Sequence, residues 1–285
     1  MHRIPFVNLP GFSKYDDEGF EHLFPTSGNA REQYVKFKIR IFAGINQCKY
    51  IPVMRMCDGE YIYSVGRKRG YHEGLFSVLK IFIATLFNTQ TTSWGEKYSR
   101  TENKELKKRF VNNLKFISKH GYIANHFLYN RHHFCEEYIE PMKKWYAKHG
   151  IEMRPDNFVS FFFVYVLLNG PDSLDLFKNQ KVLVLSSFAG EKITNIKSEL
   201  KRRGALEVFF ESVSATSSML DVLEITSYKG KVDLVLIAAG IGSSNILCQC
   251  EPLSVPCIDS GFCLECIANP AVRSQRIFCV PDNEF

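Results

Sequence analysis

Long apolar runs are missing from this 285-residue sequence. The longest is Phe158–Leu168, with 11 residues, whereas a helix that spans a bilayer needs roughly 20. The run therefore predicts a buried core element, with a contact on one face of a membrane as the alternative. The first residues carry prolines and acids where a signal peptide has its apolar segment, so no secretory leader is expected.

Internal repeats and low-complexity stretches are absent as well. Hydrophobic residues make up 45% and charged residues 23%, which excludes disordered, collagen-like, coiled-coil and disulfide-scaffold chains. The 9 cysteines of a chain without an expected leader indicate free thiols in a reducing compartment. We therefore expect a globular cytoplasmic protein.

Charge is unevenly distributed along the chain. Residues 1–150 carry 24 Lys and Arg against 14 Asp and Glu, whereas residues 151–285 carry 12 against 16. The basic half favours anionic partners such as phosphates, sugar nucleotides or the inner face of an anionic membrane. The helix predicted at Glu102–His120 is rich in lysine. Its lysines could simply face solvent, could steer an anionic acceptor, or could touch phospholipid. Nucleic acid is not expected as a partner.

The last 110 residues alternate between strands and helices. A helix is predicted over Glu191–Arg203, and another is predicted after Ser218. The continuous apolar run Lys181–Ser187 predicts a strand that is covered on both faces. Further strands are predicted at Val208–Val213, Lys231–Ala239, Val255–Asp259 and Ile277–Val280. This alternation predicts an α/β fold with a Rossmann-like, mostly parallel sheet flanked by helices.

The basic half is less regular. Prolines and glycines predict an irregular extension over residues 1–49, and residues 50–285 are expected to form a single domain. Within that domain we predict strands at Tyr50–Met56 and Tyr122–Leu128, and helices at Glu73–Asn88, Glu102–His120 and His133–Lys148.

The first candidate site is the turn that follows the strand Tyr50–Met56. Asp58 and Glu60 lie two residues apart, and Gly59 lets the backbone bend so that both face one point. Hard cations such as Mg²⁺ or Mn²⁺ are held by carboxylates together with substrate phosphates. Arg55, in a basic neighbourhood, could pair with a diphosphate. The alternative is a solvated turn in which Asp58 caps a helix.

Two later turns connect strands to helices and could bind anions through backbone N–H groups. Both could equally be tight connections without a ligand. The residues concerned are Ser187, Gly190, Gly240, Gly242 and Ser243. A further residue, Asp259, ends a strand at the same edge and is a candidate base or ribose contact, with a simple turn aspartate as the alternative.

Gly-x-Gly-x-x-Gly and Walker patterns are lacking, so dinucleotide, P-loop and methyltransferase-like interpretations are weak. Five cysteines fall within nineteen residues, but only one pair has the C-x₂-C spacing of a zinc site. Core thiols are the favoured interpretation and zinc the alternative. The cysteines are Cys248, Cys250, Cys257, Cys263 and Cys266.

Arg55-x-x-Asp58-Gly59-Glu60 after a strand resembles the R-x-G-D-G-E signature of the GT-D-fold glycosyltransferases. The resemblance extends to Lys181–Val184, to Val232–Gly242 and to the D-x-G of Asp259–Gly261, and covers roughly residues 50–270. Cys57 departs from it, because it stands where the family has glycine.

The resemblance implies a GT-D-type domain and a metal-dependent transferase. Asp58 and Glu60 would hold Mn²⁺ or Mg²⁺ on the diphosphate of a nucleotide sugar, by likeness UDP-linked. The acceptor would be a hydroxyl of a glycan or glycosylated protein, as in polysaccharide biosynthesis. The alternative is a non-catalytic nucleotide-binding or interaction protein that retains the fold.

Overall fold

A computed structural model gives the architecture of the chain. It describes residues 21–22, 30–65, 90–91, 97–98, 100–125, 127–128, 142–269 and 271–272. The predicted helix Glu73–Asn88 and the predicted strand Ile277–Val280 lie outside these ranges. Of the helix predicted at His133–Lys148, residues 142–148 are described, and the observed helix continues to residue 149.

The centre of the molecule is a seven-stranded sheet in which every neighbouring pair is parallel. In chain order, the strands of the described residues are β1 (Glu21–His22), β2 (Ile51–Met56), β3 (Gln90–Thr91), β4 (Lys97–Tyr98), β5 (Tyr122–Asn125), β6 (Phe127–Leu128), β7 (Phe158–Ser160), β8 (Lys181–Ser186), β9 (Glu207–Ser212), β10 (Leu234–Ala238) and β11 (Pro256–Asp259). The sheet order is β7-β5-β2-β11-β10-β8-β9, while β1 pairs with β6 and β3 with β4.

Helices cover both faces of the sheet. Those with described bounds are Ala30–Asn46, Asp58–Val65, Arg100–His120, Phe161–Asn169, Asp172–Phe177, Glu191–Arg202, Ser243–Gln249 and Phe262–Ala268, with 3₁₀ turns at Ile225–Tyr228, Gly240–Gly242 and Glu251–Leu253. Because both faces are covered, the inner strand β10 is apolar along its whole length, and β8 is apolar from Val182 to Leu185. The predicted α/β fold is confirmed.

Two hydrophobic cores lie on opposite faces of the sheet. One face carries the helices Ala30–Asn46, Phe161–Asn169, Glu191–Arg202 and Phe262–Ala268. The other carries Arg100–His120, residues 142–149 and Ser243–Gln249. Alternate residues of one strand go to opposite cores: Val53 packs in the first core and Met54 in the second. This alternation is the two-residue period of a strand.

The chain before residue 50 is not irregular throughout. Ala30–Asn46 is a 17-residue helix, and Tyr34, Phe37 and Ile41 on it are buried in the first core. The expectation of an irregular segment is therefore wrong for these residues. The breakers that suggested it, from Pro5 to Gly28, all precede the helix.

A second expectation fails after Ser218. Residues 215–220 form turns and residues 221–224 have no regular secondary structure, and the 3₁₀ turn Ile225–Tyr228 follows. The Asp221 carboxylate accepts the Ser214 backbone N–H at 2.6 Å, a side-chain bond that competes with helix formation. Leu220 and Val222 are exposed, so the segment has no inward apolar stripe.

The apolar run Phe158–Leu168 is a core element, as predicted. It divides into β7 and the helix Phe161–Asn169. A helix that is apolar all round belongs in the interior, and Phe163, Val164 and Leu167 are fully buried. In the described ranges, no helix has the length and apolarity needed to cross a membrane.

Candidate functional site at the carboxyl edge of the sheet

All the predicted site turns lie at one edge of the sheet, because the carboxyl ends of parallel strands point the same way. The strands β2, β11, β10 and β8 are consecutive. Three strand spacings of about 4.8 Å separate β2 from β8, or about 14 Å. Ligands of open α/β sheets bind along this edge. The three turns therefore lie along a single edge of the sheet.

The carboxylate turn begins the helix Asp58–Val65. Cys57 stands at the cap position, and its backbone N–H donates to Glu60 Oε2 at 3.0 Å. This is half of a capping box, in which the third helical residue reaches back to the cap. Capping therefore falls to Glu60, which is buried. The Asp58 side chain lies outside the described part of the structure.

The two halves of the chain meet at this turn. The helix Asp58–Val65 packs against the 3₁₀ turn Gly240–Gly242, which follows β10. The carboxylate turn comes from the basic half and the glycine turn from the acidic half. A ligand at this edge can therefore reach both.

Arg55 is buried beside Asp259, on the neighbouring strand. Its Nε donates to the Asp259 main-chain oxygen at 2.9 Å, and its Nη1 donates to the Tyr165 hydroxyl at 2.8 Å. The guanidinium lies 5.4 Å from the Tyr165 ring centroid. In this structure Arg55 thus organises the protein itself, and its contact with a diphosphate stays a prediction.

Asp259 is engaged through both carboxylate oxygens. Oδ1 accepts the Ser243 hydroxyl at 3.1 Å, and Oδ2 accepts the Arg55 backbone N–H at 3.2 Å. Burial raises the pKa of Asp259, while the Arg55 charge and the Ser243 hydroxyl oppose that rise. These contacts give both Asp259 and Ser243 a positioning role; a catalytic role for Asp259 stays a prediction.

Two glycines at this edge are required by close packing inside the protein. A Cβ on Gly261, at φ +42°, would overlap the Arg55 guanidinium. The D-x-G of Asp259–Gly261 therefore supplies both the partner and the space for Arg55. Similarly, a Cβ on Gly242 would overlap the Ser218 hydroxyl, so the missing side chain of Gly242 makes room for Ser218.

The turn after β8 is more open. Ser187 and Gly190 are exposed, and nothing lies within 4 Å of a Cβ placed on Gly190. Gly190 adopts φ +57° immediately before the helix Glu191–Arg202, a backbone geometry that favours glycine. Gly240, at φ +53°, is a further such position. Their contacts with a ligand stay predictions.

Sequence reasoning missed a polar group beneath the carboxylate turn. The Tyr146 hydroxyl donates to Asn125 Oδ1 at 2.7 Å, and both residues are buried. Burial raises the pKa of Tyr146, and the nearby Glu60 charge adds to the rise. Asn125 ends β5 at the carboxyl edge; a polar residue closing an apolar strand was the available signal.

The cysteines of the C-terminal cluster divide between the two cores. Cys263 and Cys266 pack on one face of the sheet, and Cys250 and Cys257 on the other. Burial raises the pKa of Cys248 to about 12. These cysteines cannot converge on one ion, and the described residues contain no group of three or more His, Cys, Asp or Glu arranged to hold a metal.

Comparison with known proteins gives two similar solved structures. One is described as the highly conserved domain of unknown function 1792 with a distinct glycosyltransferase fold, the other as a selenomethionine-substituted structure of domain of unknown function 1792. Their TM-scores are 0.49 and 0.48 and their identities 13% and 12%, over 84% of this chain and 87% of each of theirs. No family model and no curated protein matches. Because one fold hosts many functions, the function depends on the site residues.

Proposed function

We propose that this protein is a metal-dependent glycosyltransferase. It would transfer a sugar from a nucleotide-sugar donor, with a UDP-linked sugar as the first candidate, to a hydroxyl of a glycan or glycosylated acceptor. One observation carries the proposal: the Arg55–Glu60 motif ends an inner strand of an all-parallel sheet and its helix packs on the glycine turn Gly240–Gly242. The motif's resemblance supplies the reaction class.

The donor would lie along the carboxyl edge. Its diphosphate would lie at Asp58 and Glu60, and its nucleoside would lie toward the turns that follow β10 and β8. Backbone N–H groups at strand-to-helix turns favour anionic groups. Gly190 has no side chain, so the turn that follows β8 is open to a ligand at this position. The acceptor hydroxyl would attack the anomeric carbon, with the nucleoside diphosphate leaving.

The donor set fits a hard divalent cation such as Mn²⁺ or Mg²⁺. Carboxylate oxygens are the ligands that these ions prefer, and such ions are often bound by one or two carboxylates plus phosphate. Glu60 Oε2 already accepts the Cys57 N–H, so metal binding by Glu60 has to coexist with that cap or replace it. When bound, the cation would neutralise charge that develops on the leaving diphosphate.

Thermal unfolding tests the proposal directly. Binding to the folded state raises the unfolding midpoint with the logarithm of ligand concentration over affinity. UDP-glucose should raise the midpoint more with Mn²⁺ than without it, and Asp58→Asn should remove the metal-dependent part. Asp175→Asn is the matched control, because it removes the same charge from an exposed site at the opposite edge. Equal metal-dependent shifts in all three proteins would refute the metal assignment.

The competing candidate is a binding protein without activity. It is favoured by one observation: Glu60 and Asp259 both accept hydrogen bonds from the protein itself. Donor hydrolysis separates the two candidates. A transferase should release free sugar slowly from UDP-glucose with Mn²⁺, and the release should fall in Asp58→Asn. Binding without release over hours would favour the non-catalytic candidate.

A further inference from the structure

A basic pocket lies beside the carboxylate turn, on the second face of the sheet. Its volume is about 300 Å³, within the range of small-ligand sites. The helix Arg100–His120 contributes Lys104, Lys107 and Lys108 to its lining, residues 142–149 contribute Trp145, and the helix Asp58–Val65 contributes Ser64.

The three lysines make the pocket positively charged; Lys104 and Lys108 are exposed, and Lys107 is half-buried. Within the described ranges, no carboxylate forms an ion pair with any of them. Lys107 Nζ lies 5.5 Å from the centroid of the Tyr63 ring, and burial lowers the pKa of Lys107. A partly desolvated cation without a counter-charge is stabilised by an incoming anion more than a fully solvated one.

The pocket also has an aromatic wall. Trp145 lines it and packs against Phe110 and His149, with ring centroids 6.4 Å and 4.7 Å away. Phe110 and His149 line the pocket as well, and the ring of Tyr146, outside the lining, lies 5.6 Å from that of Trp145 between centroids. The indole is 8% exposed, so these rings hold it in place and leave a small apolar surface for a ligand ring. Lysines alone would suit any anion, whereas lysines beside a fixed indole suit an anion that carries a ring.

The position of the pocket links it to the proposed active site. Ser64 lies on the same helix as the carboxylate turn, and its hydroxyl donates to the Glu60 main-chain oxygen at 2.6 Å. Four residues of helix span about 6 Å. A ligand in the pocket can therefore extend to the carboxyl edge without crossing the sheet.

We propose that this pocket binds an anionic sugar, meaning a sugar ring with a phosphate or carboxylate substituent, as part of the acceptor. Lys104, Lys107 and Lys108 contact the anionic group, and Trp145 lies against the ring. Its assignment to the acceptor rests on the proposed transferase function; the binding itself does not.

Calorimetric titration of the full chain without metal tests the binding. The probes are glucose 1-phosphate, glucuronic acid, glucose and inorganic phosphate. At least one anionic sugar should bind about tenfold or more tightly than both glucose and inorganic phosphate. The phosphate and carboxylate probes then show which anionic group the pocket takes.

Charge-matched variants locate the site. The double variant Lys104→Gln/Lys107→Gln should weaken binding of the preferred anionic sugar about tenfold or more. The control is Lys119→Gln/Lys201→Gln, which makes the same charge change at two exposed lysines outside the pocket lining and should change affinity less than twofold. Equal losses in both doubles would mean attraction to net charge and would overturn the proposal, as would anionic sugars that bind no better than phosphate. Thermal midpoints confirm that each variant folds.

Failure of this proposal is distinguishable from failure of the transferase. Asp58→Asn should leave binding of anionic sugars unchanged, and the lysine double variant should leave metal-dependent UDP binding unchanged. If the protein binds anionic sugars but not UDP-glucose, the pocket assignment holds and the transferase proposal fails. If the protein binds UDP-glucose with metal but not anionic sugars, the transferase proposal holds and the pocket assignment fails.

Discussion

Arg55 and Asp259 join the two halves of the sheet. Arg55 lies on β2, the first strand of the seven-stranded sheet in chain order, and Asp259 ends β11, the last. The two strands come from the basic and the acidic half of the chain and are neighbours in the sheet. The Arg55 backbone N–H donates to Asp259 Oδ2 and its Nε donates to the Asp259 main-chain oxygen. The Arg55 Nε also lies 3.6 Å from Asp259 Oδ2, which makes a buried ion pair. These contacts fix the strands that carry the candidate site to each other.

Removing one partner of this pair should destabilise the protein. Asp259→Ala leaves the Arg55 guanidinium buried without its counter-charge, a change that typically costs about 3–5 kcal/mol. Urea unfolding measures the loss. Glu207→Ala, on the exposed end of the edge strand β9, is the control and should stay within about 0.5 kcal/mol of wild type. Similar stabilities for the two variants would contradict the role assigned to the pair.

A side chain at Gly242 should destabilise the protein less when Ser218 is reduced to glycine as well. Gly242→Ala places a Cβ on the Ser218 hydroxyl, and overpacking of this kind costs about 1–3 kcal/mol. The double variant Gly242→Ala/Ser218→Gly removes the overlapping side-chain atoms. Thermal unfolding should show partial recovery in the double variant relative to Gly242→Ala, and a double variant with additive losses would contradict the packing explanation.

Two substitutions of Glu60 should separate its capping role from a role in metal binding. Glu60→Gln keeps an oxygen that can accept the Cys57 N–H but removes the charge that a cation needs. We expect a smaller loss of stability than in Glu60→Ala and a clear loss of Mn²⁺-dependent UDP binding. Glu60→Ala should lose both, because it also removes the cap, at a cost of about 1 kcal/mol. Unchanged metal dependence in Glu60→Gln would assign Glu60 to capping alone.

Glu199 should make stability depend on pH in the acid range. Partial burial by itself would raise the pKa of Glu199, but hydrogen bonds from Arg202 and Arg203 outweigh it and lower the pKa to about 2. A carboxylate with a lowered folded-state pKa stabilises the protein above its unfolded value of 4.5, and the stabilisation is lost as pH falls toward 2.

Urea midpoints between pH 5 and pH 3 measure this effect. The wild-type midpoint should fall more steeply with decreasing pH than that of Glu199→Gln, in which the titrating group is gone. Glu207→Gln, an exposed carboxylate changed in the same way, should keep the wild-type slope. If the urea midpoints of wild type and Glu199→Gln fall with pH at the same rate, Glu199 does not contribute to the loss of stability in acid.

The strand-and-helix alternation was readable from the sequence because local patterns determine it. Apolar runs such as Lys181–Ser186 are strands because they are buried on both faces, and the helix Arg100–His120 follows its apolar stripe of Leu106, Phe110 and Leu114. The position of Asp58 and Glu60 after the first strand of the sheet was readable for the same reason.

The strand order and the partners of the site residues depended on the tertiary structure. Pairing of β2 with β11 joins residues about 200 positions apart, such as Val53 and Ile258, and no local pattern encodes that pairing. Only this pairing shows that Arg55 faces Asp259 and needs Gly261, and only helix packing places Lys107 beside Trp145. The sequence thus determined which chemical groups end each strand; the packing of distant strands and helices decided which of them meet, because contacts between distant residues depend on the whole fold.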